Sequence, residues 1–147
     1  MTRFVVDASV AVKWLIPEVH SEDAERLLLE GFELSAPDLI RAEVGNIIWK
    51  RWRKGEISPE RARFALQIFR GYSLEVHSSE VLLAEAWEIA HTFNRSFYDS
   101  LYLALAVYQE CPMVTADRRL YNAIKQASPE FSILWVEEIP EGPSEDS

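Results

Sequence analysis

The chain of 147 residues contains one cysteine, Cys111. No intramolecular disulfide can form, which points to a reducing, cytoplasmic setting, and a metal centre built on thiolates is excluded. Histidine is almost as scarce: His20, His77 and His91 lie far apart and lack the spacing of metal ligands. No apolar run reaches the length of a transmembrane helix, so no membrane partner is expected. Asp7 and Lys13 interrupt the opening segment MTRFVVDASVAVKWLIPE where a signal peptide would need an unbroken apolar centre, and the chain reads as soluble and unprocessed. Internal repeats, low-complexity stretches and domain linkers are also missing.

Positive charge is in deficit. Fifteen Lys and Arg face 24 Asp and Glu, a net charge of −9, which at first sight argues against a nucleic-acid partner. The deficit is uneven. Glu137–Ser147 holds five acids and no base, leaving the body with 15 bases and 19 acids. Four of those acids form the candidate metal site below, so the rest of the body is close to neutral. The tail, residues 137–147 with Pro140 and Pro143, is expected to be solvated and disordered. What precedes it, residues 1–136, fits a single domain able to bury roughly 70% of its unfolded surface. An apolar fraction of 48% and a charged fraction of 27% are ordinary for a globular protein.

Hydrophobic patterning predicts alternating strands and helices. Arg3–Val6 reads as a buried strand ending at Asp7. Helices are expected over Ser9–Ile16, where Pro17 stops the run, and over Ser21–Glu30. A brief strand, Leu34–Ala36, precedes a helix with Pro37 at its first position and Leu39, Ile40, Val44, Ile47, Ile48 and Trp52 on one stripe. A Ser58-capped helix runs to about Arg70. A strand over Leu74–Val76, a helix over Ser79–Phe93, and a nearly all-apolar helix over Tyr98–Tyr108 follow. A strand at Pro112–Thr115, a helix at Asp117–Gln126 and a strand at Ser132–Val136 complete the chain. The alternation indicates an α/β fold with a parallel sheet, whose ligand sites lie beyond the carboxyl ends of the strands.

Four acids stand out against this frame. Asp7 directly follows the first strand and Asp117 lies two residues past the fourth, so both project from one sheet edge. Asp99 is in the first turn of the buried helix. Glu43 flanks the apolar stripe, three residues after Ile40 and four before Ile47. Each has a plain structural reading. Asp7 and Asp117 suit helix N-caps, and Ser96 to Asp99 suits a capping box. Glu43 is harder to dismiss, because a carboxylate turned inward must be paired, neutralised or metal-bound. Clustered carboxylates repel one another, and a divalent cation makes the cluster tolerable. Oxygen-only ligands select Mg²⁺ or Mn²⁺. Ser9, Thr115 and Asn46 carry polar groups suited to orienting those ligands or water.

Two basic groups are candidate RNA contacts. Arg118 and Arg119 adjoin Asp117. Lys50, Arg51, Arg53 and Lys54 cluster at the end of the Glu43 helix with Trp49 and Trp52 interleaved, a pattern suited equally to unpaired bases and to an ordinary helix C-terminus.

The motifs Val5-Val6-Asp7-Ala8-Ser9, Ala42-Glu43-Val44-Gly45-Asn46, Phe97-Tyr98-Asp99-Ser100-Leu101-Tyr102 and Val114-Thr115-Ala116-Asp117-Arg118-Arg119-Leu120 resemble those of PIN-domain nucleases, in particular the VapC-type toxins of prokaryotic toxin–antitoxin pairs. The likeness spans roughly residues 3–136. It implies a three-layer α/β/α fold with a parallel sheet of four to five strands. It also implies hydrolysis of RNA phosphodiesters, a homodimer, and inhibition by a small cognate antitoxin docked near the active-site groove. Asp7, Glu43, Asp99 and Asp117 match the family's acidic positions. The acidic tail has no counterpart in the motifs. A metal-free binding module on the same fold is the non-enzymatic alternative. Phosphotransfer at Asp7 is disfavoured, because Ala8-Ser9-Val10 supplies no second acid.

Overall fold

The computed structural model describes residues 2–142. Five strands form one sheet: β1 (Thr2–Val6), β2 (Phe32–Pro37), β3 (Glu75–His77), β4 (Met113–Thr115) and β5 (Ile133–Trp135). Their order is β3-β2-β1-β4-β5 and every pairing is parallel. Among the described residues seven α-helices accompany them: α1 (Ala8–Ala11), α2 (Ser21–Glu25), α3 (Leu39–Arg53), α4 (Pro59–Arg70), α5 (Leu83–Phe93), α6 (Phe97–Gln109) and α7 (Arg118–Ala127). This is the three-layer arrangement expected.

β1 lies at the centre with Phe4, Val5 and Val6 almost wholly buried. The next two strands add on one side of it and the last two on the other, so the winding direction reverses between β1 and β4. The crevice beyond the carboxyl ends of those two strands is the topological switch point, the usual ligand position in such sheets. Their register pairs Val6 with Val114, and one step further sets Asp7 beside Thr115. Across β1, β2 and β4 lies α6, whose Leu101 to Ala106 are all buried. That accounts for its apolar composition.

Several local expectations give way to tertiary contacts. Pro37 is not a first helical residue. It pairs with His77 as the end of β2, and the next amide, Asp38 N, donates to His77 O at 2.8 Å. Sheet pairing outweighs the helix-start preference, and α3 begins at Leu39. The helix expected over Ser9–Ile16 is only α1 plus a 3₁₀ turn, Val12–Trp14. Here Lys13 is buried and donates to Glu18 Oε2 and Val19 O, both at 2.7 Å, and the Trp14 indole donates to Ala24 O at 2.8 Å. These contacts turn the chain before a longer helix can form. Ser21–Glu30 likewise shortens to α2 and a 3₁₀ turn over Arg26–Leu28.

The tail also begins later than expected. Val136–Glu138 form a 3₁₀ turn, Ile139 is buried, and Arg26 donates to its carbonyl at 3.1 Å. An apolar residue and an available carbonyl hold residues 137–139 against α2, although two of the three are acidic. Residues 143–147 of the expected tail lie outside those described. Among the described residues no helix is long and apolar enough to cross a membrane.

Candidate metal centre

The four acids arrive at the carboxyl edge of the sheet by four routes. Asp7 leaves β1 in extended conformation and caps α1, accepting from Val10 N at 3.2 Å. Both of its oxygens are held by hydroxyls: Ser9 Oγ donates to Oδ1 and Thr115 Oγ1 to Oδ2, each at 2.6 Å. The same hydroxyl oxygens accept from the chain beyond β4, Ser9 from Ala116 N and Thr115 from Asp117 N, each at 3.0 Å. Asp7, Ser9, Thr115 and the approach to Asp117 are therefore one hydrogen-bonded unit bridging the switch point. Asp117 caps α7, accepting from Arg119 N and Leu120 N at 3.1 and 3.2 Å. Asp99 stands in the first turn of α6, capped by Ser96 Oγ, which accepts from Asp99 N at 3.0 Å. Glu43 projects from the second turn of α3 and is half-buried.

The electrostatics show that the four form one group. Asp7 is 7% exposed. Burial pushes its carboxyl from the ordinary 3.8 up to about 7, against the opposing pull of Ser9, Thr115 and Val10, with Asp99 adding to the rise. Burial also raises Asp99, helped by Asp117 and opposed by Ser96 and Arg95. Glu43 rises through burial and through Asp99, opposed by Tyr102. Asp99 is thus the hub that feels or affects each of the others. Clustered carboxylates that resist ionisation are a setting a cation relieves.

The donor set fits a hard divalent ion. All four side chains offer oxygen, the ligand type Mg²⁺ and Mn²⁺ take. Tyr102 adds an independent sign: it is 2% exposed, and among the described residues its hydroxyl has no hydrogen-bond partner of proper geometry although it faces Glu43. No three of the four acids bring ligand oxygens within 4.8 Å of one another. Among the described residues only His20, Asp23 and Glu137 do so. Mutual repulsion explains the wider spacing, and it suits Mg²⁺, which commonly takes one or two carboxylates directly and retains water. The His20 group is elsewhere, where α2 meets the last turn. There Arg26 neutralises Asp23 at 3.1 Å and the Trp135 indole donates to Glu137 at 2.9 Å, so its charges are already met by protein.

The remaining residues singled out in the sequence fall differently. Asn46 is exposed, and three residues along α3 turn it away from the face that Glu43 presents to Tyr102. Arg118 and Arg119 are exposed beside Asp117, with the Arg118 guanidinium 3.8 Å above the Trp135 ring. Lys50 and Lys54 lie roughly 10 and 16 Å along α3 from Glu43. At that end Arg51 pairs with Glu18 and, at 3.5 Å, with Glu56, while Arg53 stacks over Trp49 at 5.7 Å. Two residues of the site escaped the sequence reading. Tyr102 stands three residues after Asp99, on the same helix face, and that spacing was the available signal. Arg95 lies between α5 and α6 close enough to lower Asp99, and no local pattern marks it.

A parallel sheet with four acids at its switch point is a framework suited to metal-assisted hydrolysis. Residues 4–125 match the family model of the PIN domain. The chain is 37% identical to Ribonuclease VapC1 of Mycobacterium tuberculosis over 126 residues, covering 84% of this chain and 92% of that protein. It is 35% identical to Ribonuclease VapC3 of Pyrobaculum aerophilum over 120 residues, covering 80% and 92%. Among solved structures, PAE2754 of Pyrobaculum aerophilum superposes with a TM-score of 0.68 at 25% identity, over 92% of this chain and 85% of that one. The chain belongs to the PIN-domain family.

Proposed function

We propose that this protein is a divalent-metal-dependent endoribonuclease that hydrolyses RNA phosphodiester bonds, with Mg²⁺ or Mn²⁺ held by Asp7, Glu43, Asp99 and Asp117. The observation that carries the reading is Asp7: a carboxylate buried at the switch point, clamped by two hydroxyls, and placed beside a second acid that opposes its ionisation. Relatives named as ribonucleases support the substrate class.

When bound, the cation supplies Lewis acidity toward a phosphoryl oxygen and toward water. The protein's residues do the rest. Ser9 and Thr115 fix both oxygens of Asp7, so the ligand does not reorient during turnover. Asp99, at the positive end of α6, is the second main ligand. Glu43 orients the attacking water or completes the shell. Asp117, anchored as the cap of α7, holds an outer water or a second ion. No histidine is needed as base. Arg118 and Arg119 meet RNA phosphates next to the acids, and Lys50, Arg51, Arg53 and Lys54 extend the positive surface along α3 for a longer strand.

The resemblance to VapC-type toxins extends the proposal. The protein acts in the cytoplasm as the toxin of a toxin–antitoxin pair, as a homodimer restrained by a small cognate antitoxin. Asp7→Asn and Asp99→Asn are expected to abolish cleavage of total RNA while circular dichroism and cooperative melting stay native. Undiminished cleavage in either variant, or in excess EDTA, would rule the mechanism out.

A further inference from the structure

The proposed chemistry leaves Tyr102 without a task. It projects from α6 three residues after Asp99, so both lie on one helix face. It ranks among the largest fully buried side chains, in a stretch of α6 otherwise built mainly of leucine and alanine. A buried hydroxyl without a well-formed hydrogen bond lowers stability, and phenylalanine would fill the same space without that cost. Burial and the nearby Glu43, Asp7 and Asp99 charges hold the phenol firmly protonated. A group that keeps its proton is neither base nor nucleophile. It can donate a hydrogen bond.

The acceptor follows from what the other acids already have. Asp7 is held by Ser9, Thr115 and Val10 N. Asp117 is held by Arg119 N and Leu120 N, and Asp99 interacts with Ser96. Glu43 has the longest side chain of the four, and Tyr102 is the donor that faces it. We propose that Tyr102 is a positioning residue for Glu43, its hydroxyl engaging one carboxylate oxygen and so leaving the other aimed at the shared cation and its water. The inference rests on the four-acid reading above.

The test compares the full-length parent with Tyr102→Phe, Glu43→Gln, the double variant and Asp7→Asn. Mn²⁺ binding is measured by calorimetry, and cleavage of a short RNA is measured separately. Tyr102→Phe should weaken Mn²⁺ binding and lower kcat by about tenfold, with KM within about twofold and a melting temperature no lower than the parent's. In the double variant the loss should equal that of Glu43→Gln alone, because Tyr102 acts through Glu43. Parental Mn²⁺ affinity and kcat in Tyr102→Phe, or losses that simply add in the double variant, would overturn the inference. If Mn²⁺ binds the parent and Asp7→Asn abolishes that binding, such a result sinks the role of Tyr102 and leaves the four-acid site standing. A parent that takes up no Mn²⁺ removes both.

Discussion

At the scale of single residues, Asp7 couples function to stability. Its carboxyl is raised from 3.8 to about 7, so the folded chain holds that proton more tightly than the unfolded one. Below pH 4 the group is protonated in both states and costs nothing. Between pH 4 and 7 the unfolded chain ionises first, and stability falls. Above pH 7 the full penalty is present, on the order of 4 kcal/mol. In EDTA, Asp7→Asn should therefore resist urea better than the parent at pH 8 and about equally near pH 4. A variant no more stable than the parent at pH 8 would show that no costly buried charge exists there. The residue that cleavage requires is thus one the metal-free fold would be better without, as expected where binding strength is stored in a strained group.

At the scale of elements, helix N-termini gather the acids. Asp7 caps α1, Asp117 caps α7, and Asp99 sits in the first turn of α6. Capping and metal binding are not rival explanations here. A cap fixes the carboxylate's backbone and one oxygen, and the positive helix ends soften the repulsion among the acids. The two basic groups differ in placement on their helices. Arg118 and Arg119 open α7 beside Asp117, whereas the basic end of α3 is roughly 10–16 Å from Glu43 along the helix. Replacing Arg118 and Arg119 together with alanine should weaken RNA binding and flatten the plot of log affinity against log salt by about 1.4, for two lost phosphate contacts on a single strand. Replacing Lys50 and Lys54 should have the smaller effect on a short RNA. Equal effects from the two pairs in filter-binding titrations would assign the α3 end a direct place in the groove.

For the whole molecule, the order β3-β2-β1-β4-β5 is what makes a single site possible. The winding reverses between β1 and β4, and the acids contributed by the chain after those strands meet α3 and α6 at that edge. A ligand shared by elements this distant in sequence binds the native state alone and stabilises it by mass action. Mn²⁺ at a hundredfold excess over its Kd should add about 2.7 kcal/mol, a rise of several degrees in melting temperature, and Asp99→Asn should gain less. Absence of a Mn²⁺ shift in the parent would favour a metal-free binding module on this fold.

Much of this was legible in the sequence because it is periodic or local. Alternating apolar runs and helical stripes announce a parallel α/β sheet. A strand that stops at an acid, as Val6 stops at Asp7, announces an edge that can bind. Hydroxyls two residues from Asp7 and Asp117 could be named in advance as its supports. What local pattern could not decide was competition between distant partners. Pro37 joined β2 because His77 was there to pair with it. Lys13 and Trp14 cut the first helix short because Glu18 and Ala24 lay within reach, and Ile139 packed against the body despite its acidic neighbours. Asn46 turned outward and Tyr102 inward because the angle at which α3 meets α6, which no single segment encodes, determines which side chain meets Glu43. The chain's own residues determined which groups could bind a cation; only the tertiary structure decided which of them do so together, since burial, repulsion and hydrogen-bond supply depend on neighbours brought from elsewhere in the chain.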